Sequence, residues 1–318
     1  MSTSYSKILL LFNLSFIGGV FIFSFFGPQW LKIQPQEQRS EISTSVFSET
    51  KEKFREIINS NLPNPQSAIL SGILLGDKLN ISKEWKQKLA NTGTSHIVAV
   101  SGMNIVILAE ILVGLGVLLG LFRQQALWLS LILIWLFIAL IGFQASAVRA
   151  GIMGSILIFC QILGRQGASF RALCLAVAIM LAIQPELLRY SLSFGLSVLA
   201  TFGLIQLSPA IETKLKKIKF ITATGLPQLV ATALSAQVFT LPLLIYSFGS
   251  ISLVGLLVNI LIVPLLPAIM VFGIIFLIGA LIYNPLGVVL AWPVSILLFL
   301  TVWLIEIFSK IPFSVLRL

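Results

Sequence analysis

The feature that most constrains this chain is the succession of long apolar runs between residues 95 and 308. A helix rises about 1.5 Å per residue, so roughly 20 consecutive apolar residues cross the ~30 Å hydrocarbon core of a bilayer. Backbone groups inside lipid must bond to one another, and these runs lack the two-residue alternation of barrel strands, so they predict helices. Charged residues make up only 10% of the 318 residues, too few to cover a soluble protein of this length. We therefore expect an all-α protein, a polytopic transmembrane helical bundle.

The apolar runs predict about ten membrane spans. The run through Pro264 and Pro267 is compatible with one broken helix or with two short helices, and the count of ten treats it as two. The ten spans are expected near residues 8–26, 96–120, 126–142, 147–163, 170–184, 190–207, 227–247, 251–264, 267–283 and 288–308.

Three segments follow from these runs. Residues 1–26 are expected to form an N-terminal membrane anchor helix, because only Lys7 precedes the apolar run and no small-residue cleavage site follows it. Residues 27–66 are expected to be a short external polar linker that contains an amphipathic helix, since apolar residues recur there at helical spacing. Residues 67–318 then form the transmembrane domain.

A second amphipathic helix is predicted near the start of the transmembrane domain. Ile81, Trp85 and Leu89 fall on one face, with lysines on the others. Ser82 is a suitable N-cap and Glu84 lies in the first turn, where a negative charge is favourable. A short helix with a tryptophan and a lysine-rich polar side is typical of a membrane interface.

The positive residues of the short loops predict the orientation in the membrane. With the N-terminus in the cytoplasm and ten spans, most lysines and arginines of the short loops fall on the cytoplasmic side, and only Arg189 falls outside. We therefore expect a multi-pass protein of the cytoplasmic (inner) membrane with both termini in the cytoplasm and residues 27–94 outside. The cytoplasmic positive residues are then Arg123, Arg165, Arg171, Lys214, Lys216, Lys217, Lys219, Lys310 and Arg317.

Strongly polar residues inside the spans are candidates for function, because each costs several kcal/mol in lipid unless it faces water or a partner. Small residues surround them, and irregular backbone at membrane depth is tolerated where it lines a cavity. Helix packing through small residues is the alternative. The candidates for a substrate path are His96, Ser101, Asn104, Gln144, Ser146 and Arg149.

Two charged residues in the spans leave alternatives open. Arg149 can hold a phosphate through two parallel hydrogen bonds, or it can extend to the lipid headgroups. Glu110 can pair with Arg149, bind a cation or extend to the inner surface. Pro242 is expected to kink its helix and to free carbonyl groups.

Catalysis is not supported by the residue types present. The chain has one histidine and no cluster of metal ligands, so it predicts no metal site, and no nucleotide-binding motif follows a strand. A Ser101 nucleophile with His96 as base would lack an acid to orient the histidine. We expect neither an enzyme nor a cofactor.

Taken together, five short motifs resemble the ComEC-type competence family, in the same order and over about residues 67–308. Their landmark residues include Gly76, Asp77, Thr92, Gly93, Thr94, Ser95, Gly102 and Pro242. The motifs are Leu74-Leu75-Gly76-Asp77, Thr92-Gly93-Thr94-Ser95-His96, Val100-Ser101-Gly102, Ser146-Ala147-Val148-Arg149-Ala150 and Leu241-Pro242.

The resemblance implies a channel that moves single-stranded DNA across the cytoplasmic membrane during natural transformation. It also implies a cytoplasmic ATP-driven translocase and an external DNA receptor as partners. Many members have histidine where this chain has Asn104, an external OB-type domain for which residues 27–66 are too few, and a metallo-β-lactamase-like domain after the channel. This chain resembles the channel without that domain, so a separate nuclease is expected if one strand is degraded.

Within this expectation, the path residues would contact the strand and a basic loop would meet it on the cytoplasmic side. That loop comprises Lys214, Lys216, Lys217 and Lys219, and setting the topology is an equally open role for it. The alternatives to a DNA channel are a transporter of a small anionic solute and a structural membrane subunit that transports nothing.

Overall fold

A computed structural model of the chain shows an all-α bundle. It describes residues 47–77, 80–98, 100–164, 169–183, 187, 191–216, 226–248, 250–252, 254–311 and 315–317. The predicted anchor at residues 8–26 and the lysines at 217 and 219 lie outside the described residues.

The described residues form thirteen helices and two three-residue strands. In chain order they are α1 (Ser48–Asn61), α2 (Gln66–Leu75), α3 (Lys83–Asn91), α4 (Gly102–Leu118), α5 (Arg123–Leu140), α6 (Ala145–Ile162), α7 (Ser169–Ile183), α8 (Leu192–Gln206), α9 (Ser208–Leu215), α10 (Leu226–Phe248), β1 (Ser250–Ser252), α11 (Gly255–Ile262), α12 (Leu265–Ile282), α13 (Asn284–Ser309) and β2 (Val315–Arg317).

The apolar runs are helical, as predicted, which confirms the all-α class. In the described part of the chain five helices are long and apolar enough to cross a membrane, namely α5, α6, α10, α12 and α13. The pair α8 and α9, bent by 45°, passes the same test together. The apolar helices α2, α4 and α7 are shorter than 18 residues. The predicted count of ten spans is therefore not confirmed.

The run through Pro264 contains one helix long enough to cross a membrane, α12, rather than two. Helix α11 has only eight residues and is about 12 Å long, less than half the hydrocarbon thickness. A Cβ added at Gly255, the first residue of α11, would lie 3.4 Å from the carbonyl oxygen of Thr92, so α11 begins beside the end of α3. Helix α12 continues from α11 after Pro264 and packs on α13, which returns to the end where α3 lies.

The two strands show which end the chain returns to. Strand β2 pairs antiparallel with β1, with Ser250 opposite Arg317. The Ser252 hydroxyl donates to the Asn91 carbonyl at 2.7 Å, and the Lys88 ammonium lies 3.5 Å from the Glu306 carboxylate near the end of α13. We call this side of the bundle the α3 end and the opposite side the α9 end.

The expectation that the carboxyl terminus lies opposite to residues 27–94 is therefore wrong for the described part of that segment. Strand β2 and helix α3 lie at the same end of the bundle. The physical reason is parity, because residues 255–282 contain one helix long enough to cross a membrane where the prediction counted two spans. Arg123, Arg171 and Lys214 still share the α9 end. Each follows a helix that leaves the α3 end and precedes the return to the α3 end.

Helices α1 and α2 form a hairpin that enters the bundle. Helix α1 ends at Asn61 and α2 starts at Gln66, on either side of a segment with two prolines. All ten residues of α2 are buried. Ile58 of α1 and the apolar residues of α2 share one core with α12 and α13.

Helix α3 is the second amphipathic helix predicted from the sequence. The Ser82 hydroxyl caps its N-terminus by accepting from the Trp85 backbone N–H at 3.3 Å. Glu84 in the first turn pairs with Lys88 at 2.7 Å, and the hydrogen bond from Lys88 lowers the pKa of the Glu84 carboxyl. The ammonium of Lys88 also lies 4.6 Å from the centre of the Trp85 ring, in reach of a cation–π contact.

Candidate functional site: a polar cluster at the α3 end

The Thr92-Gly93-Thr94 motif ends helix α3. The N–H of Thr94 donates to the Leu89 carbonyl and that of Gly93 to the Ala90 carbonyl, which is the Schellman pattern of a helix C-terminus. Gly93 has φ +66°, a left-handed conformation that glycine adopts without strain. The buried Thr92 hydroxyl bonds the Lys88 carbonyl at 2.9 Å and lies 2.8 Å from the Thr94 hydroxyl. The motif therefore shapes the turn from α3 toward α4.

The Gly76-Asp77 motif ends helix α2 in a similar way. Gly76 has φ +68°, and its carbonyl accepts a hydrogen bond from the Gln144 amide at 2.9 Å. A side chain at Gly76 would collide with that of Gln144. The motif therefore holds the end of α2 against the loop between α5 and α6.

Two more of the predicted path residues, Asn104 and Ser146, join separate segments in the same manner. The Asn104 amide is fully buried and donates to the Ile73 carbonyl at 3.2 Å, while its oxygen accepts from Ser101 at 3.2 Å. The Ser146 hydroxyl donates to the Val100 carbonyl at 2.8 Å. These side chains satisfy backbone carbonyls that the irregular turns leave free, which a packed bundle in lipid requires.

An ion pair that the sequence analysis missed ties helix α1 to this site. Arg55 Nε lies 2.6 Å from Asp77 Oδ2, and the Asp77 side chain is 3% exposed. Lys51 donates to the Ile141 carbonyl at 3.3 Å, at the C-terminus of α5, where a positive charge is favourable. Arg55 was overlooked because it lies in a helix with a charged face. The signal available was Asp77, an acid in an apolar motif that needs a positive partner.

Arg149 differs from the other members of the site. It is 6% exposed and lies in the second turn of α6, where its Nη2 donates to the Ser193 hydroxyl at 2.6 Å. Its buried Nε has no hydrogen-bond partner among the described residues. Among the described residues, no carboxylate lies within ion-pair distance of this guanidinium. A buried guanidinium without an acid is costly, so this position favours an anion.

The remaining candidates do not join the cluster. His96 is exposed in the turn after Thr94, and none of its contacts within the described ranges links it to Arg149. Glu110 is exposed on α4 and does not pair with Arg149, which rules out that alternative. Helix α10 continues through Pro242 to Phe248. Lys216 pairs with Glu212 at 2.6 Å at the α9 end.

The geometry thus divides the predicted path residues into two groups. Asn104, Gln144 and Ser146 use their polar groups to hold the ends of α2, α4 and α6 together. Arg149 keeps hydrogen-bonding capacity unused within the described structure. In the described ranges no group of three or more histidines, cysteines or acids is arranged to hold a metal ion.

Comparisons with known proteins agree with the motifs. The sequence profile of the family described as "Competence protein" matches residues 73–318. The protein "ComE operon protein 3" of Bacillus subtilis (strain 168) is 31% identical over 206 residues, which are 65% of this chain and 25% of that protein. "Uncharacterized protein YcaI" of Escherichia coli (strain K12) is 26% identical over 214 residues, 64% of this chain and 28% of that protein.

No solved structure matches the chain. The chain spans about a quarter of the length of the curated relatives it matches. The family profile covers all of the polar cluster except helix α1, including both glycine turns and Arg149. The chain belongs to the competence protein family.

Proposed function

We propose that this protein is the membrane channel through which single-stranded DNA crosses the cytoplasmic membrane during natural transformation, and that it catalyses no reaction. The observation that carries the proposal is Arg149, a guanidinium buried between helices with no carboxylate partner among the described residues. An anion that passes this position can take the place of the missing acid.

The chemistry of a single strand suits such a position. Every nucleotide brings one phosphate charge, and crossing lipid without help is prohibitive. A conduit needs cationic contacts that bind weakly enough to release the strand. Arg149 offers a planar fork that matches a phosphate, and Ser193 beside it offers a hydroxyl. One arginine among neutral polar groups contacts each phosphate briefly, whereas many arginines would trap the strand.

Membership of the family and the similarity to a protein named for a competence operon support the DNA cargo. We further propose that a cytoplasmic ATP-driven translocase pulls the strand and that an external receptor delivers it. If the other strand is degraded, a separate nuclease degrades it. The positive residues at Arg123, Arg171 and Lys214 favour the α9 end as the cytoplasmic one. The basic loop that begins at Lys214 would then meet the emerging strand.

The test is the uptake of labelled DNA into a nuclease-protected state. Cells that lack the gene are complemented with wild type, Arg149→Ala or Arg149→Lys at matched membrane levels. Loss of a charge-assisted hydrogen bond, about 1.5–3 kcal/mol, predicts that Arg149→Ala lowers uptake about tenfold or more. Uptake with Arg149→Lys should lie between that of wild type and that of Arg149→Ala, because lysine keeps the positive charge but not the planar guanidinium.

The matched control is Arg171→Ala, which removes an exposed arginine from α7 and should leave uptake unchanged. Equal uptake with Arg149→Ala and wild type would keep the channel but remove Arg149 from its path. If deletion of the gene leaves uptake unchanged in a competent host, the DNA channel is wrong.

The same arginine gives a second candidate function, the transport of a small anionic solute, because a carboxylate or phosphate of a metabolite would fit the fork equally well. Competition separates the two functions. Uptake of a labelled solute is measured in cells that take up no DNA. Inhibition of that uptake by a small anion would favour the transporter. Full activity of both Arg149→Ala and Gly102→Leu would instead favour a structural subunit.

A further inference from the structure

The α1–α2 hairpin reaches about half the depth of the bundle. Gln66, the first residue of α2, accepts a hydrogen bond from the Ser295 hydroxyl at 3.1 Å. Ser295 lies near the middle of α13, about 20 Å from its end at Ser309 at 1.5 Å per residue. At the other end of the hairpin, Arg55 and Asp77 meet near the ends of α5 and α6. The hairpin therefore runs from the α3 end down to the middle of α13.

The exposed face of α13 shows where the hydrocarbon lies. Large apolar side chains are exposed from Leu286 to Ile307, including Trp292 at 70% and Ile296 at 60%. This stripe is about 32 Å long at 1.5 Å per residue, close to the ~30 Å thickness of the hydrocarbon core. Ser295 lies near its centre, so the turn of the α1–α2 hairpin lies near the middle of the membrane.

Apart from Pro63, the residues exposed around the turn of the hairpin at that depth are polar. Asn59, Ser60 and Asn64 surround its turn and are all exposed. They continue a polar stripe along one face of α1, and Glu56 lies one turn closer to the α3 end. Amide and carboxylate groups toward lipid cost several kcal/mol each. This face therefore does not lie against hydrocarbon.

The hairpin is held in place on its other side. Helix α2 is entirely buried, Ile58 is fully buried in the core shared with α12 and α13, and Asp77 pairs with Arg55. A surface helix could rise to the headgroups and lift its polar face out of the lipid. This one cannot do so without breaking the ion pair and exposing α2.

We propose that the polar face of α1 lines a water-filled vestibule that opens at the α3 end and reaches about half way through the membrane. The stripe has no net positive charge, because Lys53 and Arg55 balance Glu49, Glu52 and Glu56 only in part. It therefore forms a wall that an anion passes rather than a site that binds it. Only the identity of the passing anion rests on the proposed function.

Thiol accessibility tests the vestibule. In a chain with Cys160 and Cys174 replaced by alanine, single cysteines are introduced as Asn59→Cys and Ser60→Cys, with Glu49→Cys at the α3 end. The control Ile296→Cys lies beside Ser295 at the same depth on the lipid-facing stripe. A membrane-impermeant maleimide is added to either side of sealed membranes.

The reagent needs a thiolate, which forms in water and not in hydrocarbon. We expect Asn59→Cys and Ser60→Cys to react within about tenfold of the rate at Glu49→Cys, from the same side. Ile296→Cys should react at least about a hundredfold more slowly from both sides. Both positions as slow as Ile296→Cys, or reactive only from the side opposite to Glu49→Cys, would overturn the vestibule.

DNA uptake by the same variants is a separate measurement. Normal labelling in cells whose DNA uptake does not depend on the gene would leave the vestibule standing and remove the DNA channel. If the cysteines are not labelled but DNA uptake depends on the gene, the vestibule is wrong and the DNA channel stands.

Discussion

The α1–α2 and α12–α13 hairpins pack against each other, yet they meet their surroundings in opposite ways. α12–α13 exposes apolar side chains along its length, and its helices approach closely where Gly287 faces Ala280. α1–α2 exposes a polar stripe. Its two helices are joined by the Arg55–Asp77 ion pair, and it is tied to other segments by hydrogen bonds that involve Lys51, Asn104, Gln144 and Ser295. The apolar surface of α12–α13 is stable in lipid without specific partners, whereas the position of α1–α2 depends on particular ion-pair and hydrogen-bond partners. A single substitution should therefore harm the polar hairpin more than the apolar one.

Arg55→Ala should have the largest effect, because it removes the guanidinium that pairs with the buried Asp77 carboxylate at 2.6 Å. The expected loss in the free energy of unfolding is about 3 kcal/mol, measured by denaturation with SDS in mixed micelles. The control Lys53→Ala removes a pair with Glu49 that is exposed on both sides and should cost less than about 1 kcal/mol. Equal losses for the two variants would mean that the ion pair does not position the hairpin.

Gly287→Val should have an intermediate effect on the apolar hairpin. A Cβ at this position would lie 2.5 Å from that of Ala280, so α12 and α13 must move apart, at a cost of about 1–3 kcal/mol. Gly114→Val on α4 is the control, since a Cβ there meets nothing within 4 Å. If both valines are tolerated alike, close helix contact does not stabilise α12–α13.

Ser295→Ala should have the smallest effect, because it removes a single hydrogen bond, from the Ser295 hydroxyl to Gln66 of the other hairpin. Leaving the buried Gln66 oxygen without this donor should cost about 1 kcal/mol in the same assay. Ser309→Ala removes a hydroxyl that bonds only within its own helix and should change little. An unchanged unfolding energy for Ser295→Ala would indicate that water replaces the serine at this depth.

The sequence predicted the helices better than their connections. Apolar runs became helices, and Ser82 caps α3 as predicted, because caps and hydropathy act over a few neighbouring residues. The run through Pro264 was counted as two spans, since its composition does not show that α11 is too short to cross. That miscount reversed the expected side of the carboxyl terminus.

The candidate site was predicted as a set of residues but not as a set of contacts. Asn104, Gln144, Ser146 and Arg149 were singled out because each is polar inside an apolar run. The structure shows that three of them hold backbone carbonyls from distant segments, while Arg149 bonds Ser193 and has no acid partner among the described residues. Sequence spacing along one helix does not reveal which carbonyl from another helix lies opposite.

The sequence by itself determined that this chain is a bundle of membrane helices with a few polar residues at its helix ends. That follows because lipid requires each helix to satisfy its own backbone and to present apolar side chains. Only the tertiary structure decided that Arg55 meets Asp77, that β2 returns to the α3 end, and that the polar face of α1 reaches the middle of the bundle. These features depend on contacts between segments far apart in the chain, where packing and charge pairing select one arrangement among many of equal hydropathy.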